Sequence, residues 1–368
     1  MMTNNTPAPK TNWVPPRLQN SWLTIVIFAV VVIAVVVLVP NFSQPANLLN
    51  VARQSSIIGV LAIGMTFVIL TGGIDLSVGS TLALSGVAMA MLINSGVNST
   101  LAILVALLIG VAAGVLNGIG VAILKIQPFI VTLATMVSIL GVSLRVTNGG
   151  PQSFNNADGI FNLLGSGDVF GLPGPFLVFI AVAVIGVLIL RYIPFGRFLY
   201  AIGGSSEAAR LSGVPTTRTL ILAYSISGLT AGLAGVMTAS RLGVGGPTAG
   251  GLANLDAITA VVIGGTSLMG GIGGATGTVF GALILAILSN LMNLIGISPF
   301  DQQIVKGAVI IFAVLFAMHA TKKRFSDRKA GPKASPATEE RAAERAAGPG
   351  GRRAVAHNTQ SPVERRSP

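Results

Sequence analysis

Ser205, Glu207, Arg210, Gly213 and Pro215 follow one another at the spacing of a short helix punctuated at both ends. Ser205 is a suitable N-cap, and Glu207 falls in the first turn, where the helix dipole favours an anion. Arg210 falls near the end, where a cation is favoured. Gly213 is a candidate C′ residue, and Pro215 prevents continuation. About seven helical residues result, too few to be stable alone. Such a helix must dock, either on the chain's own apolar body or on a separate cytoplasmic protein.

A second constellation is TGGIDLSVGS, residues 71–80. Gly72, Gly73 and Gly79 interrupt two apolar stretches, and Asp75 stands at the break. A carboxylate near hydrocarbon is expensive and usually faces the protein interior or a water cavity. Three uses fit it: Asp75 or Ser77 caps the next helix, the carboxylate serves substrate passage, or it makes a packing or partner contact. A third stretch, IGGTSLMGGIGGA at 263–275, repeats the paired glycines and the hydroxyl. It fits either two related halves, as in many transporters, or a tight turn between close-packed helices.

Other chemistry is excluded. The chain has no Cys, so disulfides, thiolate metal sites and Cys nucleophiles are out. Its two His are His319, at a span end, and His357, in the tail, which provides no triad or zinc site. No G-x-x-x-x-G-K-[ST] phosphate loop occurs. The sequence therefore points to no catalytic centre, no metal and no cofactor of the chain's own.

The elements that position these segments are apolar helices. Charged residues make up 9% of the chain, against about 25% in a typical soluble domain. The 46 glycines suit helices that pack closely or break on purpose. Spans of about 20 apolar residues fall at 21–39, 48–70, 78–95, 101–124, 128–147, 175–193, 218–240, 254–270, 276–295 and 302–320. The expected fold is an all-α polytopic membrane protein of about ten transmembrane helices, some interrupted. Its parts are a cytoplasmic N-terminal segment (1–20), a transmembrane permease domain (21–320) and a disordered basic cytoplasmic tail (321–368). Alternation places Lys10, Arg17, Lys125, Arg191, Arg197, Arg210, Arg218 and the tail on one side. Arg53, Arg145 and Arg241 fall on the other, with Lys306 near the last span's outer end. This bias puts both termini in the cytoplasm and the protein in the cell's inner (plasma) membrane. The net charge is +12, of which the tail's twelve Lys/Arg and five Asp/Glu supply +7. With few aromatics to stack on bases, nucleic-acid binding is excluded. The tail fits a solvated topology anchor or binding to anionic lipid.

TGGIDLSVGS at 71–80, GRFLYAIGGSSEAARLSGV at 196–214 and GGTSLMGGIGGATGTVFGALI at 264–284 resemble the signature stretches of bacterial ribose/xylose/arabinose-type ABC transporter permeases. QPFIVTLATM at 127–136 and QQIVKGAVIIFAV at 302–314 fit the same family, and the resemblance covers roughly residues 20–320. It implies a homodimer working with two ATPase domains and a periplasmic or extracellular sugar-binding protein. The loop matching GRxxxAxGxxxxAAxxxGV would be the ATPase contact. Its positions are Gly196, Arg197, Ala201, Gly203, Ala208, Ala209, Gly213 and Val214, with Glu207 and Arg210 beside them. The family often carries Asn-Pro or a similar pair where this chain has Ser205-Ser206.

The resulting expectation is a non-enzymatic permease subunit of an ATP-driven monosaccharide importer. The alternative is an ion-coupled secondary transporter, for which Asp75, Asp256 and Asp301 give a sparse supply of relay groups. An intramembrane enzyme finds no support. A sugar pathway needs hydroxyls and amides more than charge. Asn117, Thr135, Ser138 and Asn290 are the candidates, beside Gly72, Gly73, Asp75, Ser77 and Gly79.

Overall fold

The computed structural model describes residues 21–312 apart from 156–158, together with residue 315. The expected N-terminal segment 1–20 and basic tail 321–368 lie outside the described residues.

The chain runs through α1 (Ser21–Leu38), α2 (Pro45–Leu70), α3 (Val78–Asn94), α4 (Ser99–Ala122) and α5 (Pro128–Val146). After α6 (Gly159–Gly165) come α7 (Gly174–Tyr192), α8 (Pro194–Gly204), α9 (Ser206–Leu211), α10 (Thr216–Leu242), α11 (Ala253–Ile263) and α12 (Ala275–Leu294). Residues 299–312 form α13. Two small antiparallel ladders complete it: β1 (Gln152–Ser153) with β4 (Val244–Gly245), and β2 (Asp168–Val169) with β3 (Leu172–Pro173).

Each of the ten expected spans meets a helix. Six helices are individually long and apolar enough to cross a membrane: α2, α4, α5, α7, α10 and α12. The expected span at 254–270 is corrected, because α11 stops at Ile263. Gly265 turns to φ +84° there, and an irregular segment leads to α12. Eleven residues rise only about 16 Å, roughly half the hydrocarbon thickness. The long connection between α5 and α7 is also more ordered than its Gly/Asn/Ser composition suggested. It holds α6, packs Phe154 edge-on to Phe161 and is tied to α2 by Arg53–Asp168 at 2.8 Å.

α2 is the central helix. Every residue from Gly59 to Leu70 is buried, as expected of a helix apolar on all sides. Its core contacts include Phe179 and Ala183 of α7, Ala231 of α10, Ala260 of α11 and Leu285 of α12. α5 is peripheral, with Thr132 and Ser143 its buried residues.

Glycine sets the closest helix pair. Gly110, Gly114 and Gly118 line one face of α4 at intervals of four and meet the α10 backbone directly. A Cβ on Gly118 would lie 2.7 Å from the Ile221 Cα, and one on Gly114 2.8 Å from the Ser225 Cα. This is the small-xxx-small approach that joins helices where lipid gives no hydrophobic drive between them. It brings Asn117 of α4 beside Tyr224 and Ser227 of α10.

Gly114→Val is therefore expected to cost about 1–3 kcal/mol through overpacking, lowering the thermal unfolding midpoint in detergent. Gly141→Ala, where a Cβ meets nothing within 4 Å, should leave that midpoint unchanged or slightly raised.

Candidate functional site

The stretch between α7 and α10 forms two helices. α8, which the sequence reading did not anticipate, begins with Pro194 at its first helical position, where a missing N–H costs nothing. Leu199 and Ile202 are buried, and Phe195 stacks on Phe67 of α2 with centroids 6.2 Å apart. Their spacing of four and three was the available signal. Gly196 is buried where α8 folds back on α7, and a Cβ there would lie 2.6 Å from the Leu190 Cα.

α9 has the expected punctuation. The Ser205 hydroxyl accepts from the Ala208 amide at 3.2 Å. At the other end Gly213 adopts φ +81°. The Gly213 amide donates to the Arg210 carbonyl at 3.1 Å, and the Val214 amide to the Ala209 carbonyl at 3.0 Å. This is a Schellman closure, and it needs a residue that tolerates the left-handed region. Arg210 donates to Glu207 through two N–H groups at 2.7 and 3.3 Å. That hydrogen bond and the guanidinium charge hold the Glu207 carboxyl below its usual range.

Ala209 alone in α9 is buried. Glu207, Ala208, Arg210 and Leu211 face outward, as do Arg197 and Ala201 on α8, while Gly203 and Val214 are half-buried. Leu211 is 75% exposed, an apolar side chain held out on a capped helix.

The second site is buried. Asp75 is 1% exposed in the irregular segment 71–77 between α2 and α3. Its Oδ1 accepts from the Ser77 amide at 3.0 Å and from the Ser77 hydroxyl at 2.7 Å. Its Oδ2 accepts from the Ser227 hydroxyl of α10 at 2.9 Å. Asn117 of α4 donates to the Ser77 hydroxyl at 2.8 Å and toward Asp75 Oδ1 at 3.4 Å. Asp75 thus forms an Asx turn ahead of α3 and joins three elements. The Asn117 Oδ1 and the Tyr224 hydroxyl are buried there without a partner. Gly73 lies against that hydroxyl, Gly72 against Gly270, and Gly79 against Gly250. Ser227 and Tyr224 were missed from sequence. Their signal was two polar residues three apart on one face of an otherwise apolar span.

The remaining candidates separate. Asn290 of α12 exchanges two amide hydrogen bonds with Asn47 of α2, at 2.7 and 3.0 Å. That pair clamps two helices, so the structure does not bring Asn290 to the Asp75 cluster. Thr135 and Ser138 of α5 lie in an open groove of about 450 Å³ whose other lining residues are Leu84, Ile109, Ala112, Ala113, Leu116, Ala134 and Ile139.

The fold and these sites define a multi-span α-helical membrane protein that presents a short capped helix beyond its spans. A family model described as "Branched-chain amino acid transport system / permease component" matches residues 47–314. The chain is 48% identical over 286 residues to the ribose import permease protein of Bacillus subtilis (strain 168), covering 78% of this chain and 89% of that one. It is 39% identical over 330 residues to the L-arabinose transport system permease protein of Escherichia coli (strain K12), covering 88% and 98%. With the xylose transport system permease protein of the same strain it shares 37% over 338 residues, covering 76% and 86%. No solved structure matches the chain. The chain belongs to the bacterial ABC transporter permease family of the ribose/xylose/arabinose type.

Asp75→Asn keeps one acceptor oxygen and the turn, whereas Asp75→Ala leaves buried hydroxyl and amide donors unpaired, at about 1–3 kcal/mol each. Thermal unfolding in detergent should therefore rank wild type and Asp75→Asn together, with Asp75→Ala clearly below. Equal losses in both variants would assign the effect to the charge.

Proposed function

We propose that this chain is the membrane-spanning subunit of an ATP-driven monosaccharide importer, coupled through α9 to a separate ATPase chain. The observation that carries the reading is α9 itself. It is closed by its own residues at both ends, yet it offers the body only Ala209 and turns Glu207, Arg210 and Leu211 outward. A six-residue helix would not persist alone. Here it is held ready for a partner between α8 and α10.

The relatives' names support a sugar as cargo, since they import or transport ribose, L-arabinose and xylose. The basic residues support an inner-membrane orientation with cytoplasmic termini and α9 in the cytoplasm. A second copy and a sugar-binding protein complete the assembly. Thr135 and Ser138 put hydroxyls on the least covered helix of the bundle. Hydroxyls gain little from lipid, which favours this face for the contact between copies and for the sugar's path. Concentrating a sugar ten-thousand-fold costs about 5.5 kcal/mol, within reach of ATP hydrolysis.

Reconstituted with its ATPase and binding protein, the chain should accumulate sugar in vesicles only when ATP is supplied. Accumulation by the purified chain alone would overturn the reading. Glu207→Lys reverses an exposed charge on α9. Gly213→Val forces a β-branched residue into the left-handed region at about 1–2 kcal/mol. Both should abolish uptake while surface labelling shows normal membrane insertion.

A further inference from the structure

Three segments meet backbone to backbone at the C-terminal end of α2. The Gly271 amide donates to the Leu70 carbonyl at 2.9 Å. Gly203, next to last in α8, fills the remaining space, and a Cβ there would collide with the Leu70 carbonyl oxygen and the Gly271 amide nitrogen. Gly270 completes the contact. A Cβ on it would lie 2.8 Å from the Gly72 nitrogen and 2.9 Å from the Gly203 Cα. One turn earlier on α8, the Tyr200 hydroxyl donates to the Gly273 carbonyl at 2.7 Å. α8 is therefore attached twice to the loop 264–274, once by backbone contact and once by a directed hydrogen bond. Two attachments fix orientation as well as separation.

What lies on either side gives this joint its meaning. Ser205 follows α8 directly and caps α9. Beyond Leu70, segment 71–77 leads into the Asp75 cluster, which holds α3, α4 and α10. Beyond Gly273, the Gly274 carbonyl accepts from the Thr278 amide at 3.3 Å as α12 opens. Contacts between glycine backbones have no side-chain rotamers to absorb a displacement, and close-packed interiors transmit strain.

We propose that Tyr200 and Gly203 form the joint that passes displacement of α9 to the end of α2 and to the loop opening α12. They are positioning residues for transport and do not touch cargo. The inference rests on the reading of α9 as the ATPase contact, and it adds the route by which that contact reaches the spans.

The test uses the chain reconstituted with its ATPase and binding protein, and reads sugar uptake per ATP hydrolysed. Tyr200→Phe keeps the ring and removes only the hydroxyl. ATP hydrolysis should persist while uptake per ATP falls about fivefold or more, the scale of a typical coupling free energy. A ratio equal to wild type in Tyr200→Phe overturns the assignment, whether hydrolysis itself stays or falls, because a purely structural contact lowers both together. Gly203→Ala, if it assembles, should lower the ratio further; should it fail to assemble, Tyr200→Phe alone decides. A wild-type assembly that accumulates sugar without hydrolysing ATP overturns the coupling reading itself and this inference with it.

Discussion

Hydrocarbon offers no hydrogen bonds, so a helix broken within a membrane must find partners for its freed backbone groups inside the protein. The break between α2 and α3 meets this demand group by group. The Leu70 carbonyl accepts from the Gly271 amide, the Ile74 carbonyl from Thr132, and the Leu76 carbonyl from Asn254. The Ser77 amide donates to Asp75. The donors and acceptors come from α5, α11 and the 264–274 loop, so one break draws distant parts of the chain to a single place.

Close approach makes those bonds reachable. The α4 glycines let that helix sit on the α10 backbone, which places Asn117 within reach of Ser77 and puts Ser227 opposite Asp75. The same device recurs where α8 meets the end of α2. In both places the absent side chain is the functional feature. A carboxylate satisfied only by hydroxyls and amides is tolerable because its neighbours are held rigidly.

The punctuation of α9 was readable in the sequence because caps are local: Ser205, Arg210 and Gly213 act within a few residues of one another. The apolar spans were readable for a similar reason, since hydropathy accumulates along a single stretch. α8 was not anticipated because its inward face shows only against α2 and α7. The end of α11 at Ile263 depends on glycines that serve equally well inside a close-packed helix. The partners of Asp75 were hidden because Asn117 and Ser227 lie 42 and 152 residues away in the chain. Asn290 looked like a pathway amide until Asn47 claimed both of its hydrogen bonds.

Because α9 is sealed by Ser205 at one end and Gly213 at the other, its shape does not depend on anything being bound to it. A partner meeting this surface finds a finished socket and pays little entropy to order it. Association should then be governed by how quickly two ready-made surfaces collide and align, and the subunits could part and rejoin without either one refolding.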